Sequence, residues 1–228
     1  MAVPGVAFAN DDEGKKNGGV TDIEILNYAL TLEHLEAVFY TEGLKKFGKS
    51  DFRNYFKKNP TTSQGIKELE GEEVYEEFKA IRDHEQTHVA TLKSVIRSLK
   101  AKPVPECKYN FNKTAFKSFE DFLAVAEFLE NTGVSAYDGA IAYIKAAKLQ
   151  TAGATIATVE ARHASYLNLI NGDEPFPKAF DKPVAPRKNC KAVQAENGGF
   201  IVSCPKPYGP YASLDALCAR LPNTVIML

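Results

Sequence analysis

The sequence predicts an all-α fold, a four-helix bundle with an irregular, cysteine-containing C-terminal tail. Three observations predict it. Apolar residues recur at helical spacing in four long segments. Two capping patterns, Thr21-Asp22-Ile23-Glu24 and Ser118-Phe119-Glu120-Asp121, open two of those segments. No stretch alternates like a strand until "GGFIVSC" at 198–204, which reads as one short strand.

Residues 1–20 are rich in Gly, Asp and Lys and read as an extended arm. The first helix runs from Asp22 to about Phe47, with Leu26, Ala29, Leu30, Ala37 and Tyr40 on its apolar stripe. Residues 48–66 form a connection with a short helix near Phe52–Phe56. The second helix runs from about Glu68 to Lys100 and is stopped by Pro103 and Pro105. Its acidic opening, "KELEGEEVYEEF", reads as a helix N-terminus with a solvated face rather than as a cation site. The third helix starts after Ser118 and reaches about Leu149. The fourth spans about Thr151 to Ile170 and ends at Asn171-Gly172, a C-cap signal. The expected organisation is an arm over 1–20, a bundle over 21–172 and a C-terminal extension over 173–228, pinned by disulfides.

The 228 residues suffice for one well-buried domain plus an appendage. A net charge of −1 with no basic run argues against nucleic acid or an anionic membrane as partner. No apolar run approaches the roughly 20 residues that span a bilayer. The four cysteines, Cys107, Cys190, Cys204 and Cys218, fit no C-x-x-C metal knuckle. Three lie in a Pro/Gly/Asn-rich tail, so two disulfides and a secreted or extracellular location are expected. Three connectivities stay open. Asn112-Lys113-Thr114 is a glycosylation acceptor triplet, and "VAFA" before Asn10 looks like a cleavage site without a full leader ahead of it.

The chemistry starts from "RDHEQTH", 82–88. It contains H-E-x-x-H (His84, Glu85, His88), a zinc-protease pattern, and also E-x-x-H (Glu85, His88). A protease of that kind needs a third ligand, and the following "VATLKSV" lacks the Gly and His that commonly supply it. A second E-x-x-H, Glu160 with His163, lies in the fourth helix. Residues three apart share a helix face, so each pair can offer an imidazole to one metal and a carboxylate to two. The first and third helices complete the plan. Glu33 precedes Tyr40 by seven residues and Glu130 precedes Tyr137 by seven, two turns on one face. The chain thus repeats a helix with a central Glu followed by a helix with E-x-x-H.

The candidate metal ligands are Glu33, Glu85, His88, Glu130, Glu160 and His163. Four carboxylates and two imidazoles inside a four-helix bundle are a dinuclear set suited to two Fe or two Mn ions. Glu36 and Glu127 are rivals at neighbouring turns. The repeat favours Glu33 and Glu130, because Glu36 aligns with Gly133. Tyr40 and Tyr137 are candidates for hydrogen-bonding the ligands or carrying an electron, and core aromatics are the alternative. His34 aligns with Asn131 and is set aside, and His84 is placed around the site or on the surface.

The stretches "DIEILNYALTLEHLEAVFY", "RDHEQTHVATL", "VEARHASYLNLI" and "FPKAFDKPV" together resemble the ferritin-like proteins of fungal stress and sexual-development responses and the plant desiccation-related proteins. The manganese catalases are more distant by plan. The resemblance covers about 20–185 and implies a ferritin-like four-helix fold, often secreted, with a dinuclear pocket. The expected function is an oxidoreductase acting on hydrogen peroxide or dioxygen, catalase- or peroxidase-like. The alternative is metal binding or structural protection without turnover. Association into a homo-oligomer is left open.

Overall fold

The computed structural model describes residues 19–59 and 71–226. The expected arm over 1–20 lies almost wholly outside them, as does the expected start of the second helix near Glu68. Four long helices make the bundle: α1 (Asp22–Lys46), α3 (Gly71–Ser98), α4 (Phe119–Ile141) and α5 (Ala147–Asn171). A short α2 (Lys49–Lys58) sits between the first two. Helix α1 packs chiefly on α3 and α4 chiefly on α5, and α1 against α4 joins the two pairs.

The caps follow the sequence signals. Thr21 and Glu24 form the capping box of α1. Ser118 Oγ accepts the Asp121 amide at the start of α4, at 3.0 Å. Gly172 closes α5 in the left-handed conformation, φ 91°, which an L side chain rarely adopts. The break between the third and fourth helices is a correction. It falls at 142–146 rather than at about Leu149–Thr151. No Gly or Pro marks it. Instead the Asp22 carboxylate, from the start of α1, accepts the amides of Lys145 (2.8 Å) and Ala146 (3.1 Å) and caps α5 from across the bundle.

The tail is more structured than expected. It contains α6 (Pro186–Ala192), a 3-10 turn at Ala195–Asn197, β2 (Ile201–Ser203) and α7 (Leu214–Arg220). The strand expected in "GGFIVSC" is β2. It pairs antiparallel with β1 (Lys108–Tyr109) in the connection between α3 and α4. Two disulfides fix this layer. Cys107–Cys204 ties that connection to β2, and Cys190–Cys218 ties α6 to α7. The tail then docks on the bundle. Tyr208 shares a hydrogen bond with the buried Thr31 hydroxyl of α1 (2.9 Å), Arg220 pairs with Glu24, and the Val184 amide donates to Ser135 O of α4 (2.9 Å). Gly139 permits that last approach, since a Cβ there would sit 1.9 Å from Val184 O. Covered by helices and by the tail, α1 is the central helix, and even its Asn27, Thr31 and Glu33 are buried.

Candidate metal centre

The six predicted ligands converge in the middle of the bundle. Glu33, Glu85, Glu130 and Glu160 are each fully buried, and His88 and His163 nearly so. They form two overlapping groups, Glu33/Glu85/His88/Glu160 and Glu85/Glu130/Glu160/His163, with one candidate ligand atom per residue and all atoms of a group within 4.8 Å. Glu85 and Glu160 belong to both. These are the carboxylates of the two E-x-x-H pairs, each pointing across the bundle while its own histidine stays on one side.

The local geometry fits cations better than it fits protons. His88 Nδ1 lies 3.1 Å from Glu33 Oε2, 3.2 Å from Glu85 Oε2 and 3.2 Å from Glu160 Oε1. His163 Nδ1 lies 3.1 Å from Glu130 Oε2 and 3.2 Å from Glu85 Oε1. One ring N–H satisfies one such oxygen, not three. Glu85 Oε1 and Glu160 Oε1 stand at ion-pair distance from an imidazole without hydrogen-bond alignment, and Glu160 Oε2 has no hydrogen-bond partner. Buried carboxylate oxygens left in this state are costly, and coordination to a cation would satisfy them. Oxygen-rich donors with two imidazoles suit Fe or Mn.

The electrostatics agree. Burial, reinforced by mutual repulsion, pushes the Glu85 and Glu160 carboxyls well above the ordinary range. Burial opposes ionisation of Glu33 too, but contact with His88, Glu85 and Tyr137 outweighs it and holds that carboxyl low. His88 and His163 are raised despite burial. Contacts with Glu160, Glu33 and Glu85 raise the first, and contact with Glu130 the second.

The two tyrosines cross over. Tyr40 of α1 donates to Glu130 Oε1 of α4 at 2.6 Å, and Tyr137 of α4 donates to Glu33 Oε1 of α1. Each tyrosine thus holds the carboxylate of the opposite helix. Burial raises both phenol pKa values far above the ordinary range, so both stay protonated donors.

Of the residues set aside, His84 is exposed and puts Nδ1 3.0 Å from His163 Nε2, with the two rings stacked. It orients His163 and joins neither ligand group, so the H-E-x-x-H parse finds no convergent site. His34 is buried away from both groups, and burial pushes its imidazole down to about 4. Glu36, the rival of Glu33 in the sequence, joins neither ligand group. It is buried in the wall of the cluster, and burial plus repulsion from Glu160, Glu130, Glu33 and Glu85 holds its carboxyl far above the ordinary range. Its spacing of three from Glu33, one helical face, was the available signal.

A cavity of about 40 Å³ lies beyond Tyr137, the donor to Glu33, and none of the six candidate ligands lines it. All four long helices line it, with Ala29 one turn before Glu33, Leu92 one turn after His88 and Ile156 one turn before Glu160. Tyr137 is on its wall and is nearly its one polar side chain, with Thr91. Sequence reasoning could not see it, because a cavity is a shortfall of packing summed over four helices.

A family model described as a ferritin-like domain matches residues 21–173. No curated protein matches the chain.

Proposed function

The chain belongs to the ferritin-like domain family, and from that premise we propose that it is a dinuclear Fe or Mn carboxylate oxidoreductase acting on dioxygen or hydrogen peroxide. The observation that carries the proposal is the pair of overlapping ligand groups sharing Glu85 and Glu160. Glu33 and His88 would serve one metal position, Glu130 and His163 the other, and Glu85 and Glu160 both. Redox-active ions bound by these residues would supply the electrons for chemistry on an oxygen substrate.

The chain's own groups set the conditions. Tyr137 and Tyr40 hold Glu33 and Glu130 by hydrogen bonds from opposite helices. His84 fixes the ring of His163. Burial of all four carboxylates excludes bulk water. The cavity favours dioxygen as the substrate. Its lining is almost wholly apolar, and 40 Å³ is only a few times the 10–15 Å³ or so that a single water needs. A small apolar molecule gains by entering such a space, whereas peroxide loses hydrogen bonds. The two disulfides fit an oxidising compartment, which supports a secreted protein. The resemblance to stress and desiccation proteins supports a protective role outside the cell as part of this reading.

A second reading, metal binding without turnover, draws on the full burial of the cluster. One experiment separates the two. Protein reconstituted with Fe(II) or Mn(II) is assayed for metal content and for consumption of dioxygen and peroxide, with and without a reductant. Two metals per chain and consumption of dioxygen are expected. Glu160→Ala removes a shared ligand and should lose both metal and activity while keeping its helical signal. Loaded forms that leave both oxidants untouched would hand the case to metal binding alone.

A further inference from the structure

Glu36 lies outside the six ligands assigned above, yet it is only 4% exposed and follows Glu33 on the same face of α1. Its position is set by Gly133 of α4. A Cβ built there would lie 3.2 Å from Glu36 Oε1 and 2.9 Å from Glu160 Oε2. The two carboxylates therefore border one backbone position and both need the space that a missing side chain leaves, while Glu36 itself stands just outside both close-packed ligand groups. The carboxylates that repel Glu36 most are Glu160 and then Glu130, ahead of Glu33 on its own helix. Glu33 and Glu130 each accept a tyrosine hydroxyl and face an imidazole. The Glu36 carboxylate makes no hydrogen bond or ion pair among the described residues. A carboxylate only 4% exposed, with no hydrogen-bond partner and two candidate ligands nearby, is costly to ionise unless a cation completes it.

We propose that Glu36 is a seventh protein ligand, a fifth carboxylate serving the metal position of Glu130 and His163. The proposal rests on the dinuclear reading above. It explains why the internal repeat breaks where it does. One half carries Glu33-x-x-Glu36 and the other Glu130-x-x-Gly133. The glycine is the vacancy into which the extra carboxylate of the opposite helix reaches. The two metal positions are then unlike, one with Glu33, Glu85, Glu160 and His88, the other with one carboxylate more. Five carboxylates with neutral imidazoles carry more negative charge than two divalent ions offset. The set therefore favours the higher oxidation state.

The test is anaerobic titration of the purified chain with Mn(II) and with Fe(II), followed by calorimetry and elemental analysis, with circular dichroism as the check on folding. Wild type should bind two equivalents. Glu36→Gln keeps the volume and removes the charge. It should bind the first equivalent as wild type does and the second at least about tenfold more weakly, the range for lost support at metal sites. Gly133→Ala keeps every carboxylate but pushes on Glu36 and Glu160, and it should weaken the same equivalent. Glu36→Asp should recover part of the loss, which a purely space-filling role would not require. Two equivalents at wild-type affinity in Glu36→Gln would overturn the proposal and leave the dinuclear reading standing. Loss of helical signal in Glu36→Gln would also overturn it, by showing that the residue serves the fold. Wild type that binds neither metal would overturn the dinuclear reading itself, and this proposal with it.

Discussion

Two unlike layers flank the carboxylate cluster along the bundle axis. On the Tyr40 side the core is a mesh of aromatic rings. Phe122 has ring centroids 5.2 Å from Phe39, 5.3 Å from Phe47 and 5.5 Å from Phe78, and Tyr40 packs edge-on against Phe39 and Phe78. Gly43 admits the Phe122 ring, which a Cβ there would meet at 2.2 Å. On the Tyr137 side α1, α4 and α5 carry Ala29, Ala140, Ala152 and Gly153, and a cavity remains. The two tyrosines make equivalent hydrogen bonds, so the difference lies in what surrounds them. Large rings close one end and small residues leave the other open. The closed layer packs the helices together around a repulsive cluster, and the other leaves a small apolar space beyond Tyr137.

The strongest way to break this comparison is at the closed end. Phe122→Ala should cost about 3–5 kcal/mol of unfolding free energy by chemical denaturation, since it deletes a fully buried ring from a packed layer. It should leave the bound metal at two equivalents under folding conditions. A loss of metal without a loss of stability would show that the aromatic layer is part of the site.

The paired tyrosines sharpen it. Tyr40→Phe and Tyr137→Phe each remove a donor to a buried carboxylate and should each destabilise by about 1–3 kcal/mol. The tyrosine at the open end should show the larger change in oxygen reactivity, because Tyr137 lines the cavity and Tyr40 does not. Equal kinetic effects in stopped-flow measurements would argue against access from one end.

Gly153→Leu fills the cavity directly. Gly153 lines it, and a Cβ there meets nothing within 4 Å. The reaction with dioxygen should slow by about tenfold, close to 1.4 kcal/mol of barrier, with metal content unchanged. An unchanged rate would place the entry route elsewhere.

The smallest effect is the pH dependence of the cluster. Glu36, Glu85 and Glu160 have carboxyls raised above their ordinary value of 4.5. In the metal-stripped protein their ionisation above that value works against the fold. The raised imidazoles act in the same direction. Their contribution is complete below the ordinary 6.5 and is lost as pH rises through their folded values. Glu33, held low, is ionised and stabilising above 4.5 and opposes the trend. The melting temperature of metal-stripped protein should therefore fall as pH rises above about 6.5, while Mn(II) affinity rises with pH because binding displaces protons. Parallel trends in the two would contradict the assignment of these groups as ligands.

Much of this was legible in the residues themselves. Thr21, Ser118 and Gly172 marked helix ends because capping is local chemistry, settled within four residues of chain. Glu33, Glu85, His88, Glu130, Glu160 and His163 were legible because a helix turns residues three or seven apart onto one face, and the plan occurs twice. The break at 142–146 was not legible, since its cap, Asp22, is more than a hundred residues away. The burial of Glu36 beside the cluster was not legible for a related reason. Alignment of the two halves compares each position with its counterpart in the repeat, whereas Glu36 answers to Gly133 across the bundle, where an absent side chain leaves space.

By itself the sequence determined the helices, their buried faces and the kinds of side chain in the cluster, because each depends on spacing along one helix or on the chemistry of one side chain. Only the tertiary structure decided which partners meet. It set Tyr40 on Glu130 and Tyr137 on Glu33, joined Cys107 to Cys204 and Cys190 to Cys218, brought Glu36 over Gly133, and left a cavity at one end of the cluster. Each of these depends on the register and separation of packed helices, and many side chains set those together through close packing of the core.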